Sequence, residues 1–175
     1  MKTASHTIIV PYSSDWPTAY ESEKEILLKS IGSKIIDIQH IGSTSIPGLS
    51  SKPIVDIAVI IQRHEDAEAL AEHVMTLGYT FHSKSSERHF FIKGDPIRLH
   101  LSIAYADQGG FWMRQIVFRN YLRAHPEALQ EYALLKEQLL RDDPSGKGAY
   151  FAGKTDFVYR ILKLAGWKEG QLYQP

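Results

Sequence analysis

The sequence contains no cysteine, which excludes disulfide bonds, zinc-thiolate sites and cysteine nucleophiles. It also lacks an excess of charge of either sign, because 20 lysines and arginines face 20 aspartates and glutamates. A neutral chain exerts no general attraction on nucleic acid or on an anionic membrane surface. We therefore expect no nucleic-acid partner, and any anion-binding site must rest on a local cluster of cationic side chains.

Long apolar runs are missing as well. No stretch approaches the roughly 18 apolar residues of a membrane-spanning helix, and the first residues, Met1 to His6, lack the apolar core of a signal peptide. These absences lead us to expect a cytoplasmic protein without a membrane partner. At 175 residues the chain has the usual size of one domain, so we predict a single domain over residues 1–175.

The spacing of apolar residues predicts an α+β protein. Strands are predicted at Thr7–Val10, Lys34–Ile41, Pro53–Ile61, Tyr79–His82, His89–Lys93 and Ile97–Ala104. Helices are predicted at Asp15–Ile31, Ala67–Leu77, Met113–Ala124, Pro126–Arg141 and Thr155–Ala165. The nearly continuous apolar run of Pro53–Ile61 is typical of an interior strand that is covered on both faces. We expect a mixed β-sheet with flanking helices and a helical C-terminal part.

A turn of small residues lies between two predicted strands. Gly42, Ser43, Thr44 and Ser45 allow backbone amides to turn inward, and their hydroxyls can donate to phosphate oxygens. The turn is not a Walker loop, because Lys52 is not part of a Gly-Lys-Ser/Thr pattern and a strand follows. It is either a phosphate-binding turn or an ordinary loop.

Asp56 interrupts the apolar strand Ile54 to Ile60. A carboxylate in such a strand needs a partner, because burying it unpaired is costly. A bound divalent ion or the amides of the Gly-Ser turn would serve, as would an ordinary salt bridge to Arg98 or Lys52.

Several segments resemble the GrpB family. The run from His40 to Ile57 reads His-Ile-Gly-Ser-Thr-Ser-Ile-Pro-Gly-Leu-Ser-Ser-Lys-Pro-Ile-Val-Asp-Ile, and it looks like the signature of that family. Trp16-Pro17 and the run Phe118–Glu127 resemble the family in the same order. The resemblance implies a nucleotidyltransferase-like fold whose Gly-Ser turn faces a nucleotide. It further implies that Gly42 and Ser43 hold phosphate and that Asp56, the candidate catalytic residue, takes the first metal-ligand position.

The sequence departs from the pattern of active nucleotidyltransferases at the expected metal site. Ala58 occupies the position of the usual second carboxylate. The strand expected to supply the third carboxylate carries His100 instead, with Ser102 two residues later. Two Mg²⁺ ions require several hard oxygen ligands, so this set is a poor two-metal site. The remaining metal hypothesis is one divalent ion, Mg²⁺ or Mn²⁺, on Asp56 and His100 with phosphate oxygens. An aspartate-histidine pair suits Mn²⁺ or Zn²⁺ better than Mg²⁺.

Basic residues give the phosphate hypothesis independent support. The candidates are Lys52, Arg88, Arg98, Arg119, Arg123 and Lys154. His40, directly before the turn, is a further candidate binding residue, although a histidine at a strand end is commonly structural. Lys147, Tyr150 and Lys154 follow a glycine-rich bend and form either a lid over a phosphate or an ordinary surface loop. For Arg119 and Arg123, four residues apart, the alternative is a solvated or salt-bridged helix face.

From the sequence we expect a nucleotidyltransferase-like domain that binds a nucleotide or another phosphorylated small molecule and that, if catalytic, transfers a nucleotidyl group. The alternative is a non-catalytic binding or regulatory module that has kept the phosphate pocket and lost the metal-binding carboxylate pair. Ala58 favours this alternative.

Overall fold

The computed structural model describes residues 8–146 and 148–174. Its centre is a five-stranded mixed sheet with the order β1-β2-β5-β4-β3. The strands are β1 (Asp37–Ile41), β2 (Val55–Ile61), β3 (Thr80–Lys84), β4 (Arg88–Lys93) and β5 (Leu99–Tyr105). Strands β2 and β5 are parallel, and the other neighbouring pairs are antiparallel.

Five α-helices accompany this sheet in the described part of the chain. They are α1 (Asp15–Ile31), α2 (Ala67–Thr76), α3 (Phe111–Ala124), α4 (Pro126–Asp142) and α5 (Gly148–Leu164). The predicted α+β class, with a mixed sheet and a helical C-terminal part, is confirmed. None of the described helices has the length and apolar character needed to cross a membrane.

Strand β2 is the interior strand that its apolar sequence predicts. Alternate residues point to opposite faces of a strand. Val55, Ile57 and Val59 join a core cluster with residues of α1 and α2, whereas Ala58 joins a cluster with residues of α3 on the other face. Asp56 shares this second face and is the one residue of β2 that is not fully buried. The sheet therefore presents Asp56 towards the helical part.

The helical part packs directly on the turn region that follows β1. Ile46 and Leu49 from this region join one buried cluster with residues of α3, α4 and α5. Gly153 permits a close approach of α5 to α4, because a Cβ atom there would lie 2.3 Å from Leu139 Cδ2. The turn is thus enclosed between the sheet and the three C-terminal helices.

Several element boundaries differ from the sequence prediction. Helix α5 begins at Gly148 rather than Thr155, because packing against α4 overrides the low helix propensity of two glycines. Helix α3 begins at Phe111, directly after Gly110 with its positive φ of 76°. The predicted strand Thr7–Val10 is reduced to one antiparallel bridge between Val10 and Ser51, and Thr7 lies outside the described residues.

Candidate functional site

The Gly-Ser turn depends on glycine at its first position. Gly42 has φ 70°, a backbone conformation that residues other than glycine rarely adopt. A Cβ atom at Gly42 would also lie 2.5 Å from Asp56 Oδ2. Residues Ser43–Ser45 form one 3₁₀ turn, and Ser45 Oγ donates to the Gly42 carbonyl at 2.6 Å. The absence of a side chain thus brings the turn against the Asp56 carboxylate.

Asp56 pairs with His100. The two residues are neighbours in the register of the parallel strands β2 and β5. His100 Nδ1 lies 2.9 Å from Asp56 Oδ1, and the ring of Phe90 meets the imidazole edge-on with 5.0 Å between ring centres. Both partners keep some exposure, 34% for the Asp56 side chain and 26% for His100. A carboxylate in an apolar strand requires a partner, and His100 is that partner for Asp56.

A cavity of about 190 Å³, called here the Asp56 cavity, opens above this pair. It is lined by Ser43, Ser51, Lys52, Ile54, Asp56, His100, Lys136, Tyr150, Phe151 and Lys154. Its three lysines come from three different elements, namely the loop before β2, helix α4 and helix α5. Three cationic side chains therefore surround one carboxylate.

Lys136 brings a positive charge into the protein interior. Its residue is 2% exposed, and its Nζ donates to Ser43 Oγ at 3.2 Å and to the Ser50 carbonyl at 2.5 Å. Burial, together with the nearby charge of Lys154, lowers the pKa of Lys136 from 10.5 to about 7. Lys136 makes no salt bridge within the described residues. This ammonium group holds the turn from the α4 side and remains without a neutralising carboxylate there.

Lys154 and Lys52 share an aromatic support formed by Tyr150 and Phe151. Lys154 Nζ lies 4.2 Å from the ring centre of Tyr150 and 4.8 Å from that of Phe151. Lys52 Nζ lies 5.0 Å from the Tyr150 ring centre and donates to the Gly146 carbonyl at 3.2 Å. Burial and the charge of Lys52 lower the pKa of Lys154 to about 8, against the opposing effect of Asp56. Cation-π contacts thus fix both ammonium groups at the cavity.

The structure brings part of the sequence-predicted site together. Ser43, Lys52, Asp56, His100 and Lys154 all line the Asp56 cavity, as does Tyr150 of the predicted lid. Lys147, the other residue predicted for that lid, lies outside the described residues.

Three predicted binding residues lie on the other side of the turn. His40, Arg119 and Arg123 line a separate cavity of about 350 Å³, called here the Arg119 cavity. Arg119 Nη1 donates to the His40 carbonyl at 2.7 Å, and the Nε and Nη2 groups of Arg123 donate to the Ser45 carbonyl. The two arginines therefore bind the backbone of the turn and its preceding strand, because α3 crosses the sheet behind the turn.

The remaining predicted residues have structural environments. His40 is buried, bonds to Thr44 Oγ1 through Nε2 at 2.9 Å and stacks on Tyr20. Burial lowers the pKa of His40 to about 4, so the ring is neutral near pH 7. Thr44 and Ser45 are buried within the turn, and Arg98 is exposed before β5, away from the Asp56 cavity.

The donor set does not fit a two-metal site. Ala58 offers no oxygen ligand at the position of the second carboxylate. It is also fully buried in the same cluster as Phe111, which leaves no room for a larger side chain there. Its neighbour in register on β5 is Ser102. Within the described residues no group of three histidine, aspartate or glutamate side chains is placed to hold a metal ion.

Lys136 is the charged site residue that the sequence prediction missed, and Ser51, Ile54 and Phe151 also line the cavity without having been predicted. A signal was present, because Lys136 follows the buried Ala128 and Tyr132 at intervals of four residues on one face of α4. A lysine that continues an apolar helical stripe is unusual and indicates a buried ammonium group held at a specific place in the structure.

Comparison with solved structures identifies the class of the fold. The complex of Cid1 with the UTP analogue UMPNPP superposes on 83% of this chain and 48% of its own, with a TM-score of 0.54 and 14% identity. At this identity the similarity concerns the fold, and the mixed sheet with its Gly-Ser turn defines a protein of nucleotidyltransferase-like fold.

More specifically, the chain belongs to the GrpB family. The family model described as GrpB protein matches residues 6–164. The crystal structure of GrpB from Enterococcus faecalis is 32% identical and covers 90% of this chain and 96% of that chain, with a TM-score of 0.81. The UPF0157 protein YqkA of Bacillus subtilis is 36% identical over 166 residues, which are 93% of this chain and 48% of YqkA. The chain thus spans about half the length of that relative.

Proposed function

We propose that this chain binds a nucleotide or another phosphorylated small molecule in the Asp56 cavity. The observation that carries the proposal is the convergence of Lys52, Lys136 and Lys154 on the Gly-Ser turn beside Asp56. Ammonium groups and hydroxyls such as that of Ser43 are the donors that phosphate oxygens accept in proteins.

The electrostatics of the cavity favour an anionic ligand. Lys136 and Lys154 are both desolvated, and their depressed pKa values reflect the cost of keeping them charged. An anion between them would lower this cost and raise both pKa values. Phosphate would therefore stabilise the folded protein as well as bind to it.

The size of the cavity favours a phosphate chain as the buried part of the ligand. Its volume of about 190 Å³ is smaller than the roughly 300–1,000 Å³ of pockets that enclose a drug-sized molecule. An adjoining cavity of about 150 Å³ shares Ser43 and reaches Arg114 and Phe118. In our proposal the phosphates occupy the Asp56 cavity, and the rest of the ligand extends outwards.

Transfer of a nucleotidyl group is the second candidate function. The fold favours it, because Cid1 shares the fold and its structure holds a UTP analogue. The closed position of Ala58 favours a non-catalytic module. A single Mg²⁺ or Mn²⁺ on Asp56 and His100 belongs to this second candidate, and the protein would supply only those two donors.

A thermal-shift experiment with matched lysine variants tests binding. Wild-type protein is heated with ATP, UTP, GTP, CTP or pyrophosphate, and the measurement is repeated with Lys154→Met and with Lys163→Met, which removes an exposed lysine of the same helix. A ligand at a hundred times its Kd stabilises by about 2.7 kcal/mol. We expect stabilisation of the wild type and of Lys163→Met, and a clearly smaller effect in Lys154→Met.

Two results would contradict the proposal. A wild-type protein that no phosphorylated compound stabilises does not use the cavity as proposed, and equal shifts in both variants would place the ligand elsewhere. Transfer is tested separately by incubating the protein with α-labelled nucleotide and candidate acceptors. Label that stays on the nucleotide, together with binding, supports the non-catalytic module.

A further inference from the structure

Arg88 of β4 is not among the residues that line the Asp56 cavity, but it lies close enough to Asp56 for the two charges to interact. Its backbone pairs with Ala104, but its side chain extends along the sheet, and Nη1 donates to Ser102 Oγ at 2.5 Å. Ser102 is the neighbour of Ala58 in register, one pair along from Asp56 and His100 on the same face. The guanidinium group is therefore bonded next to Ala58, the position of the usual second carboxylate.

Two aromatic rings fix this guanidinium group. Arg88 Cζ lies 4.4 Å from the ring centre of Phe90 on β4 and 4.6 Å from that of Phe111 at the start of α3. A planar guanidinium held between two rings loses little freedom when it binds a ligand. Its position is thus set by the fold before any ligand arrives.

Arg88 retains donors for a ligand. Among the described residues it has one hydrogen bond, to Ser102, and no salt bridge. Arg114, close by, is instead neutralised by a two-point pair with Glu87 at 2.7 and 2.6 Å. Burial lowers the pKa of Arg88, while the charges of Asp56 and Glu87 act in the opposite direction. A guanidinium group has five N–H donors, so most of them are available.

We propose that Arg88 takes the place of the metal ion and binds a phosphate group of the ligand beside the Asp56 cavity, so that binding needs no divalent cation. This inference rests on the proposed function and specifies the chemistry of the same site. A metal ion in a phosphate site supplies positive charge next to the carboxylate. Here Ala58 supplies no oxygen ligand, and a fixed cation is bonded to Ser102, its neighbour in register.

The ligand class follows from this arrangement. Two parallel N–H groups of a guanidinium match two oxygens of one phosphate, whereas the lysines act as point charges. The site would accept free phosphate esters or pyrophosphate. It would not require the magnesium complex in which nucleoside triphosphates usually occur.

Isothermal titration calorimetry of the whole chain tests the inference, with pyrophosphate and ATP as probes. Each probe is titrated in EDTA and in excess Mg²⁺ into wild-type protein, Arg88→Gln, Arg88→Lys and Arg63→Gln, which removes an exposed arginine that lines neither the Asp56 cavity nor the adjoining one. We expect wild-type affinity in EDTA to equal or exceed that in Mg²⁺, and Arg88→Gln to weaken binding about tenfold or more, the usual effect of losing charge-assisted hydrogen bonds. Arg88→Lys should recover part of the loss, and Arg63→Gln should bind nearly as wild type.

The outcomes separate this inference from the function on which it rests. Wild-type binding that disappears in EDTA, or an Arg88→Gln protein that binds as wild type, overturns the role of Arg88 and leaves phosphate binding intact. Wild-type protein that binds neither probe nor any other phosphorylated compound overturns both. The EDTA comparison uses wild-type protein, so it decides the question even if Arg88→Gln does not fold.

Discussion

Replacing Lys136 with methionine should stabilise the ligand-free protein near pH 7. Methionine resembles the lysine stem in shape, and it removes the buried ammonium group and its hydrogen bonds to Ser43 and Ser50. The pKa of Lys136 falls from 10.5 to about 7, which at about 1.36 kcal/mol per unit corresponds to roughly 4 kcal/mol at pH 7. The lost hydrogen bonds cost about 1–3 kcal/mol. We therefore expect a net gain of about 1–3 kcal/mol.

The pH dependence provides the sharper measurement. Below the folded pKa of about 7, Lys136 is protonated in both states and its destabilising effect is complete. Above the unfolded value of 10.5 the lysine is neutral in both states and the effect is absent. Between these limits the unfolded state binds more protons, so the free energy of unfolding rises with pH. Lys136 alone should add about 2 kcal/mol of stability between pH 7 and pH 9.

Urea unfolding at pH 7, 8 and 9 measures this effect. Wild type should gain stability over the range, and Lys136→Met should lack about 2 kcal/mol of that gain. Lys154 contributes in the same direction in both proteins, so the difference isolates Lys136. Lys163→Met, which removes an exposed charge, serves as the control and should follow the wild type.

A pH-independent difference between wild type and Lys136→Met would refute the reasoning, because it would mean that Lys136 is not charged at a cost in the folded protein. A variant that is less stable than wild type at pH 7 would likewise show that the hydrogen bonds of Lys136 outweigh its desolvation. Addition of pyrophosphate should reverse the order of stability, since only the wild type has the buried cation that the anion neutralises.

Two further predictions concern the turn and the missing carboxylate. Gly42→Ala should lower the free energy of unfolding by more than about 2 kcal/mol in thermal or urea melts, because it adds a clash with Asp56 to the strain of a positive φ. Gly48→Ala is the matched control, since Gly48 has φ 83° with open space around it, and should show only the backbone strain. Ala58→Asp should cost about 3 kcal/mol or more, because the new carboxylate is buried beside Phe111. Its melting temperature should not respond to Mg²⁺ or Mn²⁺, and a rise of several degrees with either ion would show that a metal site can be rebuilt.

The sequence singles out Ser43 and Asp56 as candidate site residues, and their role stays a prediction. A glycine-serine turn and a carboxylate in an apolar strand are local signals, and the fold places Ser43 and Asp56 on the same cavity. The partner of Asp56 was harder to predict, because the pairing with His100 depends on the parallel register of β2 and β5. A register between strands separated by more than 40 residues has no local signature.

The roles of the cationic residues could not be read from spacing. Arg119 and Arg123 share one face of α3, as four-residue spacing predicts, but spacing does not show on which side of the turn a helix crosses the sheet. Lys136 was missed for the opposite reason: it lies on the buried face of α4, where its spacing predicts a core residue and not a residue that faces a cavity. In each case tertiary packing decides whether a cation binds the protein backbone or faces a cavity.

The long reach of the contacts that hold the Gly-Ser turn has a consequence for folding order. The residues that bond it from either side, Arg119, Arg123 and Lys136, lie 78 to 93 positions away from their partners along the chain. During synthesis the turn leaves the ribosome long before these residues exist, and contacts between distant segments form slowly. We expect the turn to be translated early and to reach its final shape late, after α3 and α4 have docked. A chain that ends before α4 would contain the complete motif from His40 to Ile57, but we expect its Gly-Ser turn not to adopt the conformation seen in the folded protein.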